Sequence, residues 1–146
     1  MIQSDILRRS TISAIVTAGW MLFSVPGCAP VETAIIAEPG TSFTLPVGKT
    51  AVVKGTDTRL TFREVREDSR CPTDVTCVWA GDAKILVVIS RNGGTDETRI
   101  MSITPPNNEA RVDNLRIRFV GLAPVPRQAD ANIPRSYVGE FVVDKL

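Results

Sequence analysis

The sequence predicts an all-β fold, a single β-sandwich of about seven strands, with a small β-barrel as the alternative. Three observations lead to this prediction. From residue 41 onward, apolar residues recur at every second position or in short β-branched runs. Gly, Pro and Asn interrupt these runs at intervals of roughly ten residues. No stretch after the N-terminal segment has the apolar spacing of an amphipathic helix.

Seven short segments carry the strand pattern. In chain order they are residues 42–45, 50–53, 60–65, 83–90, 98–104, 115–120 and 137–143. Segment 83–90 is almost continuously aliphatic, which is typical of a strand covered on both faces. Asn92-Gly93 follows it, and this dipeptide favours a hairpin because both positions tolerate positive φ. We therefore expect segment 98–104 to return alongside 83–90.

The later segments are separated by prolines. Pro105-Pro106 predicts a loop before segment 115–120, in which alternate residues are apolar or charged, as in a half-buried strand. Three further prolines between residues 124 and 134 predict a long connection to the last strand.

The N-terminal segment has the layout of an export signal. Arg8 and Arg9 precede a stretch, residues 11–27, without any charged side chain. A transmembrane helix is the alternative, but the stretch is slightly short of the roughly 20 apolar residues that a bilayer requires. Pro26-Gly27 also interrupts a helix rather than extending it.

The end of this segment, Val25-Pro26-Gly27-Cys28, resembles the lipobox of bacterial lipoproteins. The resemblance implies that residues 1–27 form a lipoprotein signal peptide and that Cys28 becomes the lipidated first residue of the mature chain. Ala29, where lipoproteins retained on the inner membrane carry Asp, favours the outer membrane. The alternative is an ordinary secretory signal with an incidental cysteine. Residues 28–40 are then predicted to be a flexible tether, and residues 41–146 the β-domain.

The charge balance excludes a class of partners. The chain has 17 basic and 16 acidic residues, and removal of residues 1–27 leaves 15 of each. A neutral domain without a basic cluster lacks the electrostatic footprint of a nucleic-acid-binding protein. The expected partners are the membrane, through the lipid on Cys28, and a protein of the cell envelope, facing the periplasm or the exterior.

Cys71 and Cys77 are only six positions apart. In an exported protein such a pair favours a structural disulfide that closes a tight loop. The alternatives are a reactive dithiol or a pair of metal ligands. Zinc requires four ligands, and the chain contains no histidine to complete such a site.

The segment around this pair, Asp68-Ser69-Arg70-Cys71-Pro72 with Cys77-Val78-Trp79-Ala80-Gly81, resembles a motif of uncharacterised bacterial secreted proteins and lipoproteins. The resemblance implies an extracytoplasmic compartment and a β fold, and it carries no assigned activity.

Two interpretations of the motif remain open. In the structural one, Trp79 fills core volume against the disulfide, Gly81 marks a close backbone approach, and Asp68 pairs with Arg66 or Arg70. In the functional one, Asp68, Arg70, Asp74 and Trp79 form the rim of a ligand-binding site.

Catalytic signatures are sparse. Without histidine, Ser-His-Asp, Cys-His and histidine-metal centres are excluded. Five carboxylates lie near one another in sequence and could include a glycosidase pair or a calcium site, although their spacing lacks the pattern of a calcium loop and surface charge explains them better. They are Glu64, Glu67, Asp68, Asp74 and Asp82. We therefore predict a protein that is not an enzyme and needs no cofactor.

Two functions follow as hypotheses. The first is a non-catalytic envelope lipoprotein whose β-domain binds or scaffolds a partner. The second is an inhibitor of an exported hydrolase that presents the Cys71–Cys77 loop as a pre-organised wedge.

Overall fold

The computed structural model describes residues 34–146, so the predicted signal peptide, the predicted lipidation site Cys28 and most of the predicted tether lie outside the described residues. The described chain forms nine β-strands and one short 3₁₀ helix. The strands are β1 (Ile35–Ala37), β2 (Ser42–Pro46), β3 (Thr50–Val53), β4 (Thr58–Asp68), β5 (Ala83–Arg91), β6 (Glu97–Ser102), β7 (Glu109–Val112), β8 (Leu115–Ala123) and β9 (Val138–Lys145).

The strands form two sheets, which confirms the predicted sandwich. One sheet has the order β1-β3-β4-β5-β6, and the other has the order β2-β9-β8-β7. All neighbours pair antiparallel except β1 and β3, which are parallel. Within the described chain the sheets pack face to face and do not close into the alternative barrel.

Aromatic rings join the two sheets at the centre of the core. Phe141 of β9 lies between Phe43 of β2 and Phe119 of β8, with ring centroids 6.0 and 5.5 Å from its own. Phe62 of β4 meets Phe141 edge-on from the opposite sheet, at 5.9 Å. Such pairs contribute about 0.5–1.5 kcal/mol beyond the burial of their area.

Two strands were not predicted from the sequence. β1 lies inside the segment predicted to be a flexible tether, so the described part of that prediction is wrong at residues 35–37. Only Ala37 of β1 is fully buried, which leaves no apolar periodicity to recognise, and the strand forms by pairing with the edge of β3. β7 is equally short and buries only Ala110 and Val112.

The prediction that segment 83–90 is covered on both faces is also wrong. In β5, residues Ala83, Ile85, Val87 and Ile89 are fully buried, whereas the alternate residues are only half-buried. The outward face of this sheet is therefore partly exposed, as is usual for an antiparallel sandwich. The Asn92-Gly93 turn does connect β5 to β6 as predicted.

The two ends of the sandwich carry different connections between the strands. One end, called here the loop end, carries residues 69–82 between β4 and β5 and residues 124–137 between β8 and β9. The opposite end, called the hairpin end, carries the turn 92–96 and the C-terminal residue Leu146, whose N–H donates to the carbonyl of Asn114. Among residues 34–146 no helix is long and apolar enough to span a membrane.

Candidate functional site

Residues 69–82, called the disulfide loop, extend the β4–β5 pair beyond the sandwich. Backbone N–H groups of Ser69 and Cys71 donate to the carbonyls of Asp82 and Ala80, both at 2.8 Å. Cys71 and Cys77 form the predicted disulfide. Residues 72–79, called the tip, therefore project past the last backbone hydrogen bonds of this pair.

Gly81 allows the two sides of the loop to come together. Its φ is +70°, a conformation that residues with a side chain rarely adopt, and a Cβ atom there would lie 1.9 Å from the carbonyl oxygen of Ser69. This confirms the predicted close backbone approach.

Arg70 holds the base of the loop against the rest of the domain. Its Nε and Nη2 donate to the two carboxylate oxygens of Asp68, at 2.7 and 2.9 Å. The same guanidinium donates to the carbonyl of Leu122, and to that of Pro124 at 2.9 Å. The side chains of Arg70 and Asp68 are only 11% and 5% exposed, so this ion pair is largely removed from water.

Two residues of the long connection complete this cluster. The hydroxyl of Tyr137 donates to Asp68 at 3.0 Å, and Arg135 places Nη1 3.9 Å from the same carboxylate. Burial raises the pKa of Asp68, but the hydrogen bonds and charge of Arg70, with the hydroxyl of Tyr137, hold it below its usual value. Asp68 is therefore ionised under ordinary conditions.

Asp74 fixes the tip to the connection between β8 and β9. Its carboxylate accepts hydrogen bonds from the backbone N–H groups of Gln128, at 2.7 Å, and Ala129, at 3.1 Å, at the start of the 3₁₀ helix Gln128–Asp130. These two hydrogen bonds lower the pKa of Asp74. The N–H of Thr73 also donates to the carbonyl of Pro126 at 3.0 Å. The tip is thus held by the disulfide, by Arg70 at its base and by residues 126–129.

Trp79 is not a core residue. It is 80% exposed, and its neighbour Val78 is completely exposed. The interpretation in which Trp79 fills core volume is wrong because the tip lies beyond the end of both sheets, where no facing strand covers it. Val75, on the same tip, is 39% exposed.

The four residues of the predicted rim thus fall into different environments. Asp68 and Arg70 form a shielded pair at the base of the loop, and Asp74 is occupied by backbone donors. Trp79 is the member of the set that is freely accessible to a partner. Arg135 and Tyr137 could not be assigned to this cluster from the sequence, since both are more than sixty positions from Asp68 and belong to no recognisable motif.

The other clustered carboxylates are separated by their own partners. Glu64 pairs with Arg66, and Glu67 pairs with Lys84, both on the surface. Asp82 accepts hydrogen bonds from the hydroxyls of Ser102 and Thr104 and from the N–H of Ala83. Between residues 34 and 146 no group of three or more acidic, histidine or cysteine side chains is arranged to hold a metal ion.

A shallow groove of about 410 Å³ adjoins the Asp68 cluster, between Val47, Val65, Arg135 and Tyr137. It is open to solvent, and the Arg135 at its edge already contacts Asp68 and Tyr137. The exposed tip of the disulfide loop therefore remains the stronger candidate for a binding surface.

Comparisons of the chain with protein-family models, with curated proteins and with solved structures find no match. The site must therefore be interpreted from its own chemistry.

Proposed function

We propose that this protein is a non-catalytic lipoprotein of the bacterial cell envelope that binds a partner through its disulfide loop. The N-terminal signal and the lipobox-like residues Val25 to Cys28 support the lipid anchor. The observation that carries the binding role is the 80% exposure of Trp79 on a loop fixed at its base and its side.

A constrained loop with an exposed tryptophan suits binding. Trp offers a large contact area with few rotatable bonds, and it is enriched among the residues that dominate binding energy. Because the disulfide, Arg70 and Asp74 already order the tip, binding costs little further conformational entropy. Nothing in the core of the sandwich requires Trp79 to be at this position.

The chemistry of the described residues supports a non-catalytic role. General acid-base catalysis by carboxylates requires two of them to face a common substrate position. Here Asp68, whose side chain is only 5% exposed, and Asp82 are each bound by neighbouring donors. Their pKa values lie below the usual value, so neither is poised to deliver a proton near neutral pH.

Mass measurement of the mature N-terminus tests the anchor. We expect a chain that begins at Cys28 and carries a diacylglyceryl group and a further acyl chain. A Cys28→Ala variant is the control and should not be processed in this way. An unmodified terminus, or retention of residues 1–27, would contradict the lipoprotein assignment.

Photo-crosslinking in intact cells tests the binding surface. A photoreactive amino acid such as benzoylphenylalanine replaces Trp79 in one variant and Thr95, at the hairpin end, in the other. We expect crosslinks to an envelope component from position 79 and none from position 95. Equal yields from both positions would mean that the loop is not a specific binding surface.

A second candidate is an inhibitor of an exported hydrolase. Thr73, Asp74 and Val75 are exposed on a short constrained loop, as an inhibitory segment would be. The carboxylate of Asp74 is directed to the N–H groups of Gln128 and Ala129, so its charge need not enter an enzyme pocket. The test is hydrolase activity in envelope extracts with and without the protein, and a Val75→Asp variant that inhibits equally well would exclude this loop as the inhibitory segment.

A further inference from the structure

The N-terminal chain enters the domain from the side of the disulfide loop. β1 runs parallel to β3, with Ile35 beside Ala51, and Ala51 pairs with Leu60 of β4. The direction from Ile35 back towards Ala34 is therefore the direction in which β4 runs from Leu60 to Asp68. The disulfide loop begins where β4 ends.

The length of β4 from Leu60 to Asp68 is comparable to the greatest span of the chain from Cys28 to Ile35. From Leu60 to Asp68, β4 rises about 26 Å at about 3.3 Å per residue. The chain between Cys28 and Ile35 spans at most about 25 Å when fully extended. A lipid attached to Cys28 can therefore reach about as far as the base of the disulfide loop, while the hairpin end is on the far side of the sandwich.

The chemistry of the tip suits the surface of a bilayer. Trp is enriched at the boundary between lipid and water, where its ring is partly buried and its N–H stays hydrated. Val78 beside it is completely exposed and adds apolar area. Asp74, the single acidic residue of the tip, directs its carboxylate to the backbone N–H groups of Gln128 and Ala129.

We infer that Val78 and Trp79 insert into the same lipid surface that holds the acyl chains of Cys28, which makes the disulfide loop a second membrane contact. The inference rests on the proposed lipid anchor and names the partner of the loop as a lipid surface. Two attachment points at the loop end fix the sandwich with its hairpin end directed away from the membrane. A single acyl anchor on a tether would leave that orientation undefined.

Tryptophan fluorescence tests this contact directly. The chain has two tryptophans, Trp20 and Trp79, and Trp20 is lost with residues 1–27. Trp79 is then the sole tryptophan of the mature lipoprotein. The purified lipidated protein is placed in vesicles of phosphatidylethanolamine and phosphatidylglycerol, with or without brominated acyl chains. We expect a blue-shifted emission in the plain vesicles and loss of fluorescence in the brominated ones.

A matched control places the reporter at the other end of the sandwich. The double variant Trp79→Phe with Thr95→Trp keeps one tryptophan, on the exposed hairpin 92–96. Its emission should stay characteristic of water and should not be quenched. Both substitutions fall on exposed residues, and a far-UV circular dichroism spectrum equal to that of the parent protein verifies the fold.

The outcomes separate the two proposals. If the protein is lipidated and floats with the vesicles, but Trp79 is quenched no more than the Thr95→Trp reporter, the membrane contact is refuted and the anchor stands. If Trp79 responds only after envelope proteins are added, its partner is a protein and the lipid contact is again refuted. If the N-terminus is unmodified and the protein does not float, the lipoprotein proposal itself fails.

Discussion

The guanidinium of Arg70 binds the carboxylate of Asp68 through two parallel hydrogen bonds, of 2.7 and 2.9 Å. It also donates to the carbonyls of Leu122 and Pro124, which belong to the end of β8 and the connection after it. One side chain thus joins the disulfide loop, which extends β4 and β5 of one sheet, to the end of β8 in the other sheet. Planar donors in a fork are needed for this arrangement, which an ammonium group cannot reproduce.

Loss of Arg70 should therefore destabilise the domain strongly. In Arg70→Met the Asp68 carboxylate loses the guanidinium and keeps Tyr137, the more distant Arg135 and the backbone N–H of residue 70. We therefore expect the free energy of unfolding to fall by about 3 kcal/mol, the lower value for breaking a shielded ion pair. Arg70→Lys should recover only part of this loss. Urea denaturation followed by circular dichroism measures both values.

The control for this variant is Arg66→Met. Arg66 pairs with Glu64, and the two side chains are 55% and 46% exposed. Such surface pairs contribute between about 0 and 1 kcal/mol. Similar losses for the Arg66 and Arg70 variants would show that shielding of the Asp68 pair has no energetic consequence.

Acid should destabilise the domain through Asp68 and Asp82, whose carboxylates accept hydrogen bonds in the folded state. Burial raises the pKa of Asp82, but the hydroxyls of Ser102 and Thr104 hold it below its usual value, and the pKa of Asp68 is lowered as well. Because both values are lower in the folded state, the unfolded state binds more protons as the pH falls below about 4. This stabilisation is fully present above the unfolded-state pKa and is lost as the pH falls through the folded-state values.

Thermal unfolding at a series of pH values measures this dependence. In Asp82→Asn the amide can still accept a hydrogen bond from Ser102 but does not titrate, so the fall in the melting temperature between about pH 4 and pH 2 should become shallower. An unchanged slope in this variant would show that Asp82 does not contribute to acid unfolding.

Substitution of Gly81 should also destabilise the domain strongly. A methyl group in Gly81→Ala would overlap the carbonyl oxygen of Ser69, in a backbone conformation that already costs about 1–2 kcal/mol for an ordinary residue. We expect the free energy of unfolding to fall by well above that range, and we expect the disulfide loop to be displaced. Gly93→Ala is the matched control, because φ there is +75° and its Cβ would meet open space. Equal losses for the two variants would indicate that the contact with Ser69 is unimportant.

The strands that the sequence predicted and those it missed differ in how they are stabilised. β4, β5, β8 and β9 bury alternate side chains, so their periodicity is written in the sequence. β1 and β7 bury one or two small residues each and are held mainly by hydrogen bonds to their neighbours. A backbone hydrogen bond leaves no pattern in the sequence, which is why such short edge strands were not predicted.

The candidate site also contains features that could be predicted from the sequence and features that could not. The Cys71–Cys77 bond follows from spacing, and the need for Gly81 follows from the motif. The exposure of Trp79 could not be predicted, because a tryptophan beside a disulfide usually fills a core. The partners of Asp74 were equally hidden, since they are backbone N–H groups of Gln128 and Ala129, and any residue type could supply them.

Asp74 should control the mobility of the tip rather than the stability of the sandwich. Its carboxylate is exposed and accepts hydrogen bonds from the backbone N–H groups of residues 128 and 129, so Asp74→Ala loosens one side of the tip while the core stays intact. In the mature protein, the fluorescence anisotropy of Trp79 reports this release directly and should fall, with little change in the melting temperature. Asp74→Asn keeps one acceptor oxygen and should give an intermediate anisotropy. If Asp74→Ala leaves the anisotropy unchanged, the disulfide, Arg70 and the hydrogen bond from Thr73 to Pro126 position the tip without Asp74.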